Sequence, residues 1–316
     1  MAEVAILGAG TMGHALALVF ALGGHSVRLT DSRRETLDAA EGLIDSAFAT
    51  LREAGEVDAS WTEQRIGAAI RRTPTLEETV RGADVIVEAI TERPDAKTSI
   101  FAQVDEIARV DAIIASNTSQ LDVFPLIPQR RLRRALIAHW YTPPYIVDLV
   151  DIVPGPETDP AIVEEIRAMM EAMRLKPIVL KRFIPGYVAN RIQAAISLEV
   201  FRLLDEGYAS PQEIDDAVVH GLSLRIPVLG HLAKADFTGL ELTQNALRNA
   251  TYKPPTPTGR SKMVDDLVAQ GRTGVVAGKG FFDWGGRNAR ELFQERDRKL
   301  IALKQAMRRI GRMEGT

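Results

Sequence analysis

Two residues in the stretch AHWYTPPYIVDLVDIV, Ala138 to Val153, are of the types that move protons: His139 and Asp151. The histidine closes an apolar strand, Pro143 and Pro144 break the chain, and a second strand returns with the carboxylate. An imidazole beside an acid at the mouth of a sheet is the pair needed to take the proton of an alcohol as it is oxidised. A lone histidine at a strand end is also explained by structural hydrogen bonds, so its neighbourhood must decide. Asp148, three residues before Asp151, offers a second carboxylate or faces solvent as an ordinary strand residue.

An oxidation needs an electron acceptor, and the N-terminus offers a place for one. The run Val4 to Leu7 ends in GAGTMG, Gly8 to Gly13, and continues as HALALVFALGG, which reads as strand, tight turn and helix. Gly8 permits the turn, Gly10 lets the backbone approach a pyrophosphate, and Gly13 lets the helix sit close to the strand. Thr11 and Met12 complete the loop at the helix N-terminus, which faces the phosphates. The next strand, SVRLT, leads into Asp31, close to the roughly 20-residue spacing of the acid that binds the adenosine ribose hydroxyls. A ligand-free glycine turn has the same pattern. Asp31 would repel a 2′-phosphate, which favours NAD over NADP, while Arg33 and Arg34 either answer such a phosphate or are solvated surface.

The elements that must hold these groups follow from periodicity. Residues 33–82 are long for one crossover and read as two or three helices with a break at Gly55 to Ser60. The strands ADVIVEAI, Ala83 to Ile90, and AIIASNTS, Ala112 to Ser119, are nearly continuous in apolar residues and are separated by a helix entered through Pro94. Such strands alternating with helices make a parallel sheet covered on both faces, an α/β doubly wound domain. Glu92, Ser119 and His139 then fall at the C-terminal edge, where open sheets of this kind bind ligands. A helix capped by Asp159 and a last strand, Lys176 to Lys181, complete the sheet. From Pro185 the period turns helical, so residues 1–183 read as one domain and 184–316 as a second, all-helical one. Ser210-Pro211-Gln212-Glu213 is a capping box, Pro254, Pro255 and Pro257 mark a loop, and the tail from Arg287 reads as a charged amphipathic helix.

Composition excludes several classes of function. The 316 residues carry 39 Lys and Arg against 42 Asp and Glu, a formal charge of -3, so nucleic acid and acidic membranes are not expected partners. There is no cysteine for disulfides, thiolate metal sites or thiol nucleophiles, and no His, Asp and Glu cluster with metal-ligand spacing. No segment reaches the roughly 18 apolar residues of a membrane span, and the chain opens on a strand without a leader, so a cytoplasmic protein is expected.

Six motifs in order now carry a resemblance. GAGTMG, the VEAITE stretch from Val87 to Glu92, ASNTS from Ala115 to Ser119, His139 followed by prolines, PGYVANR from Pro185 to Arg191, and GKGFFDW from Gly278 to Trp284 resemble the L-3-hydroxyacyl-CoA dehydrogenase family. The resemblance implies an N-terminal NAD-binding Rossmann domain, a C-terminal helical domain that forms a homodimer, and catalysis in the cleft between them. It implies that His139 is the general base and that Asp151, where the family usually has glutamate, orients it and stabilises its imidazolium. The loss of one methylene shortens the reach, so either the backbone moves in or a water bridges. Ser119 and Asn190 match the pair that hydrogen-bonds the substrate oxygen; Glu92 and Lys97 match contacts to the nicotinamide half of NAD. Thr142 replaces an asparagine that contacts the cofactor. Read without the family, Ser119 and Asn190 are also possible caps, and Glu92 and Lys97 possible surface charge.

The sequence departs from the family where CoA is held. The family's serine and lysine on the helix after the second strand are Ala47 and Ala54, with Glu41, Asp45 and Glu53 nearby, an acidic surface that repels phosphates. HWYTPP is more similar to the branch with the L-gulonate and carnitine dehydrogenases. The expected activity is therefore NAD-dependent oxidation of the secondary hydroxyl of a small 3-hydroxy acid, whose carboxylate would need a cation from among Arg191, Arg225, His231 and Lys234. The alternatives are a dehydrogenase of CoA thioesters, a crystallin-like binding protein without catalysis, and an NADP-linked reductase.

Overall fold

The computed structural model describes residues 1–249 and 251–313. It divides into two compact units, Met1–Arg191 and the chain from Ile192 onward. The first unit runs β1 (Glu3–Leu7), α1 (Gly13–Leu22), β2 (Ser26–Thr30), α2 (Arg34–Glu53), α3 (Glu63–Ala69), β3 (Ile70–Arg72), α4 (Leu76–Val80), β4 (Val85–Glu88), α5 (Pro94–Ile107), β5 (Ile113–Ser116), β6 (Ala135–Trp140), β7 (Leu149–Pro154), α6 (Pro160–Ala172) and β8 (Lys176–Val179). These strands form one sheet in the order β3-β2-β1-β4-β5-β6-β7-β8.

The middle strands are buried along their whole length, as expected where helices cover both faces. Crossovers run from β1 outward through β2 to β3 and, in the other direction, from β4 through β5 to β6, all parallel. The order therefore reverses between β1 and β4, and the ends of these two strands open a crevice at the C-terminal edge. The chain then turns back on itself, because β7 pairs antiparallel with β6. β8 returns parallel to β7.

Residues 33–82 hold three helices, and the expected break lies between α2 and α3, after Gly55 at φ +69°. They also hold β3, which the sequence reading did not anticipate. Asp159 caps α6 by accepting from the Ala161 amide.

The second unit is helical: most of α7 (Ala189–Asp205), then α8 (Pro211–Asp216), a π-helical stretch Ala217–Ser223, α9 (Ile226–Thr238), α10 (Leu240–Asn249), α11 (Lys262–Ala269) and α12 (Ala289–Ile310). Ser210 and Glu213 form both halves of the capping box that starts α8. Asp205 ties α7 to α11 by accepting from the Ser261 hydroxyl and the Lys262 and Met263 amides. α9 is broken at Gly230, whose φ of +71° is not helical. No helix among the described residues is long and apolar enough to cross a membrane.

Candidate active site

The glycine-rich loop joins β1 to α1 under tight steric terms. A Cβ on Gly13 would stand 1.6 Å from the Gly8 carbonyl oxygen, so no other residue fits while the turn keeps its shape. Gly8 itself has φ +99°, and a Cβ there would meet the Ala89 carbonyl oxygen at 2.5 Å. At Gly10 nothing lies within 4 Å of a Cβ, so the loop presents bare backbone to open space beside the N-terminus of α1. This is a cradle of the kind that a pyrophosphate fills.

Asp31, just past β2, is tied into that cradle. One carboxylate oxygen accepts from the Ala9 amide at 2.8 Å and the other from the Arg33 amide at 2.8 Å. Each oxygen keeps a further lone pair, enough for two ribose hydroxyls. Asp31→Ala is expected to weaken NAD about 10- to 100-fold, the loss of one or two charge-assisted hydrogen bonds, with NADP affinity not reduced. Calorimetric titration with both nucleotides checks this, and unchanged NAD affinity would remove Asp31 from the ribose site.

Beneath the crevice lies a buried ionic group. Glu88, fully buried at the end of β4, accepts from Lys97 Nζ at 2.6 Å, the Ser116 hydroxyl at 2.5 Å and the Ile90 amide at 2.9 Å. Lys97, 1% exposed, also reaches Glu92 at 3.4 Å. Its ammonium is thus held between two carboxylates below the edge. Glu92 in turn accepts from the Thr118 hydroxyl and the Ser119 and Gln120 amides, which pins the loop after β5. Burial pushes the Glu92 carboxyl up, but these donors and the Lys97 charge outweigh it and hold the group below the usual carboxylate range.

That loop delivers Ser119 to His139. The Ser119 hydroxyl lies 3.3 Å from His139 Nε2, and the imidazole is 4% exposed near the end of β6. Across the hairpin, His139 pairs directly with Asp151. The separation from Nδ1 to Asp151 Oδ2 is 3.9 Å, too long for a hydrogen bond. The shortened acid is therefore adjacent without touching, and both Nδ1 and Asp151 Oδ1 are buried without a partner. Oδ2 is taken instead by the Tyr141 hydroxyl at 2.5 Å.

Two tyrosines flank the imidazole, and neither was singled out from sequence. The Tyr141 ring stands edge-on to it, centroids 4.6 Å apart, and Tyr187 packs against it at 5.0 Å. Tyr187 donates to the Thr118 carbonyl at 2.5 Å and sits at φ +49°, a costly conformation for this residue type that its burial holds in place. Burial, then the charges of Glu92 and Asp151, drive the Tyr187 phenol well above its ordinary range. One signal was available for Tyr141: it lies two residues after His139, the spacing that keeps a face along a strand.

The other expected residues are spread more widely. Asn190 opens α7, and its backbone amide, with that of Ala189, faces the Tyr141 oxygen. Thr142 is exposed and donates to the Met12 sulfur at 3.1 Å, which brings the turn after β6 to the glycine loop. Arg191 is exposed. In the second unit, Arg225 is engaged by the Gly221 carbonyl, His231 follows the break at Gly230, and Lys234 lies one turn on. Among the described residues no group of three or more His, Asp and Glu side chains lies close enough to hold a metal ion.

The surface of α2 is less acidic than its sequence alone implies. Arg72 of β3 pairs with Glu41 at 2.6 Å, and Arg71 and Arg72 line the same 440 Å³ cavity as Glu41 and Asp45. Ala47 is buried at 5% exposure.

The NAD-binding domain of 3-hydroxyacyl-CoA dehydrogenase matches residues 3–183, and the C-terminal domain of 3-hydroxyacyl-CoA dehydrogenase matches 186–284. The chain is 34% identical to human lambda-crystallin homolog over 72% of each protein. It is 30% identical to L-carnitine dehydrogenase of Nocardiopsis dassonvillei over 98% of this chain and 93% of that enzyme. The structure of 5-formyl-3-hydroxy-2-methylpyridine 4-carboxylic acid 5-dehydrogenase, an NAD-dependent dismutase, superposes with a TM-score of 0.87 at 28% identity, covering 99% of this chain and 100% of that one. With both domains matched in order, the chain belongs to the 3-hydroxyacyl-CoA dehydrogenase family of NAD-dependent oxidoreductases.

Proposed function

We propose that the protein oxidises the secondary hydroxyl of a small 3-hydroxy acid, or a related hydroxy compound, to a carbonyl, with His139 as general base. The observation that carries the reading is the line Ser119 hydroxyl, His139 Nε2, His139 Nδ1, Asp151 at the edge where the glycine cradle opens. With the proton on Nδ1, the nitrogen on the side of the acid, Nε2 keeps its lone pair for the substrate hydroxyl proton. NAD, when bound, accepts the hydride that leaves the same carbon. Asp151 stabilises the imidazolium as it forms, Ser119 holds the substrate oxygen beside Nε2, and the Asn190 side-chain amide donates to the carbonyl oxygen as it develops. Gly8, Gly10, Thr11, Met12, Gly13 and Asp31 would hold the adenosine diphosphate half. Glu92, fixed by Lys97, and Thr142 would face the nicotinamide half.

The preference for a free acid over a CoA thioester rests on Ala47 and Ala54 and on the similarity to L-carnitine dehydrogenase across nearly the whole chain. Electrostatic repulsion from α2 adds little, since Arg72 neutralises Glu41. A small carboxylate needs a cation, for which Arg191, Arg225, His231 and Lys234 are the candidates. A homodimer through the helical unit is supported by its exposed apolar side chains, among them Leu224, Leu232, Phe237, Leu242 and Leu247. NADH formation from NAD with L-carnitine, L-gulonate and 3-hydroxybutyryl-CoA tests the substrate class. Turnover of a free acid with the thioester inert is expected, and turnover of the thioester alone would make the protein a hydroxyacyl-CoA dehydrogenase.

A further inference from the structure

We propose that Tyr141 is a positioning residue, which holds the Asp151 carboxylate facing the His139 imidazole across the hairpin. The inference rests on the reading of His139 as the base.

Asp151 is fully buried, and among the described residues its carboxylate accepts from the Tyr141 hydroxyl at 2.5 Å on Oδ2 while Oδ1 has no partner. A carboxylate in such a place without a donor is costly to keep ionised. It is also free to turn about its χ angles. The tyrosine removes both problems: it supplies a donor to the anion, and it anchors Oδ2, the oxygen that faces His139 Nδ1. The same side chain touches the second member of the pair, since its ring stands edge-on to the imidazole with centroids 4.6 Å apart. Oxygen on the acid and ring on the base together fix the 3.9 Å gap between them.

The phenol is suited to this. Burial, the hydrogen bond to Asp151 and the charge of Asp151 raise it far above its ordinary range, against a weaker opposing pull from the Asn190 and Ala189 amides. The phenol is thereby held in the protonated form that donates. Those amides belong to the first turn of α7, so Tyr141 also links the acid to the segment that carries Asn190.

Residues 141 and 151 should then behave as a matched pair. A glutamate at 151 advances the carboxylate by about 1.5 Å, into the space of the Tyr141 hydroxyl, but reaches the imidazole by itself once that hydroxyl is gone. Tyr141→Phe, Asp151→Glu and the double variant are compared in steady-state oxidation of the free acid turned over best among L-carnitine and L-gulonate. The expected result is a fall in kcat of about 10- to 100-fold in each single variant, with KM for NAD within about 2-fold, and recovery of most of the loss in the double variant. A second readout needs no substrate: ¹⁵N imidazole spectra of the NAD-bound protein, with His139 assigned by comparison with His139→Gln. Wild type should show the single Nδ1–H tautomer and Tyr141→Phe a mixture. A Tyr141→Phe protein with wild-type kcat and spectrum overturns the proposal, as does a double variant no faster than Asp151→Glu. If His139→Gln also keeps its turnover, the assignment of the base has failed; if it is inactive while Tyr141→Phe is unaffected, only the role of Tyr141 falls.

Discussion

His139→Ala is expected to lower kcat by about 10²- to 10⁴-fold while NAD binds as tightly as before. Both halves of this follow from where the imidazole sits. Nε2 faces the Ser119 hydroxyl at 3.3 Å and Nδ1 faces a buried acid, so the ring is poised to take a proton and to carry the resulting charge. The glycine cradle and Asp31 belong to β1 and β2, separated from β6 by β4 and β5, and neither hydrogen-bonds to the histidine. Removing the ring therefore strips the base without disturbing the ribose and phosphate contacts. Initial rates with saturating NAD give kcat, and calorimetric titration with NAD gives the affinity. Parallel loss of both would mean that His139 supports the fold and does not take the proton.

The second large effect is on stability. Lys97→Met should destabilise the protein by about 3–5 kcal/mol, because it leaves Glu88 buried without its cation. Glu88 is fully buried and would keep only the Ser116 hydroxyl and the Ile90 amide as donors. In a unit of this size that corresponds to a fall in melting temperature of roughly 6–20 °C. Replacing both partners, Glu88→Gln with Lys97→Met, should recover a good part of the loss, since the stranded charge goes with its cation. Urea unfolding of the three proteins measures this, and a single variant within about 1 kcal/mol of wild type would show that the pair is solvated in solution. Lys97→Met should also loosen the loop that carries Ser119, because Lys97 supports Glu92 and Glu92 holds the Ser119 and Gln120 amides.

Sequence was a good guide where local chemistry decides structure. GAGTMG dictates its own turn, since Gly13 and Gly8 meet so closely that the motif admits one shape. The N-cap at Asp159 and the box at Ser210 and Glu213 are short-range hydrogen bonds, legible from residue types at fixed spacing. Strands such as Val85–Glu88 announce themselves by a nearly continuous apolar run. β3 does not, because Ile70-Arg71-Arg72 at the sheet edge buries one side chain fully and needs no apolar run. What sequence could not supply was set by partners far along the chain. Lys97 reads equally as surface charge until β4 and α5 are packed together and bring it to Glu88. The 3.9 Å gap and the use of Asp151 Oδ2 by Tyr141 depend on cross-strand register, which spacing alone does not fix.

The β6–β7 hairpin separates the fate of the acid–base pair from that of the rest of the sheet. His139 and Asp151 are joined by one short reversal, whereas the cradle depends on parallel pairings such as β1 with β4, whose intervening chain includes two strands and four helices. A residue added to or removed from one of those crossovers would accordingly leave the matching of the pair unaltered. The turn from Tyr141 to Asp148 has no such freedom. One residue more or less there would shift the strand by a single step and turn Asp151 to the opposite face of the sheet.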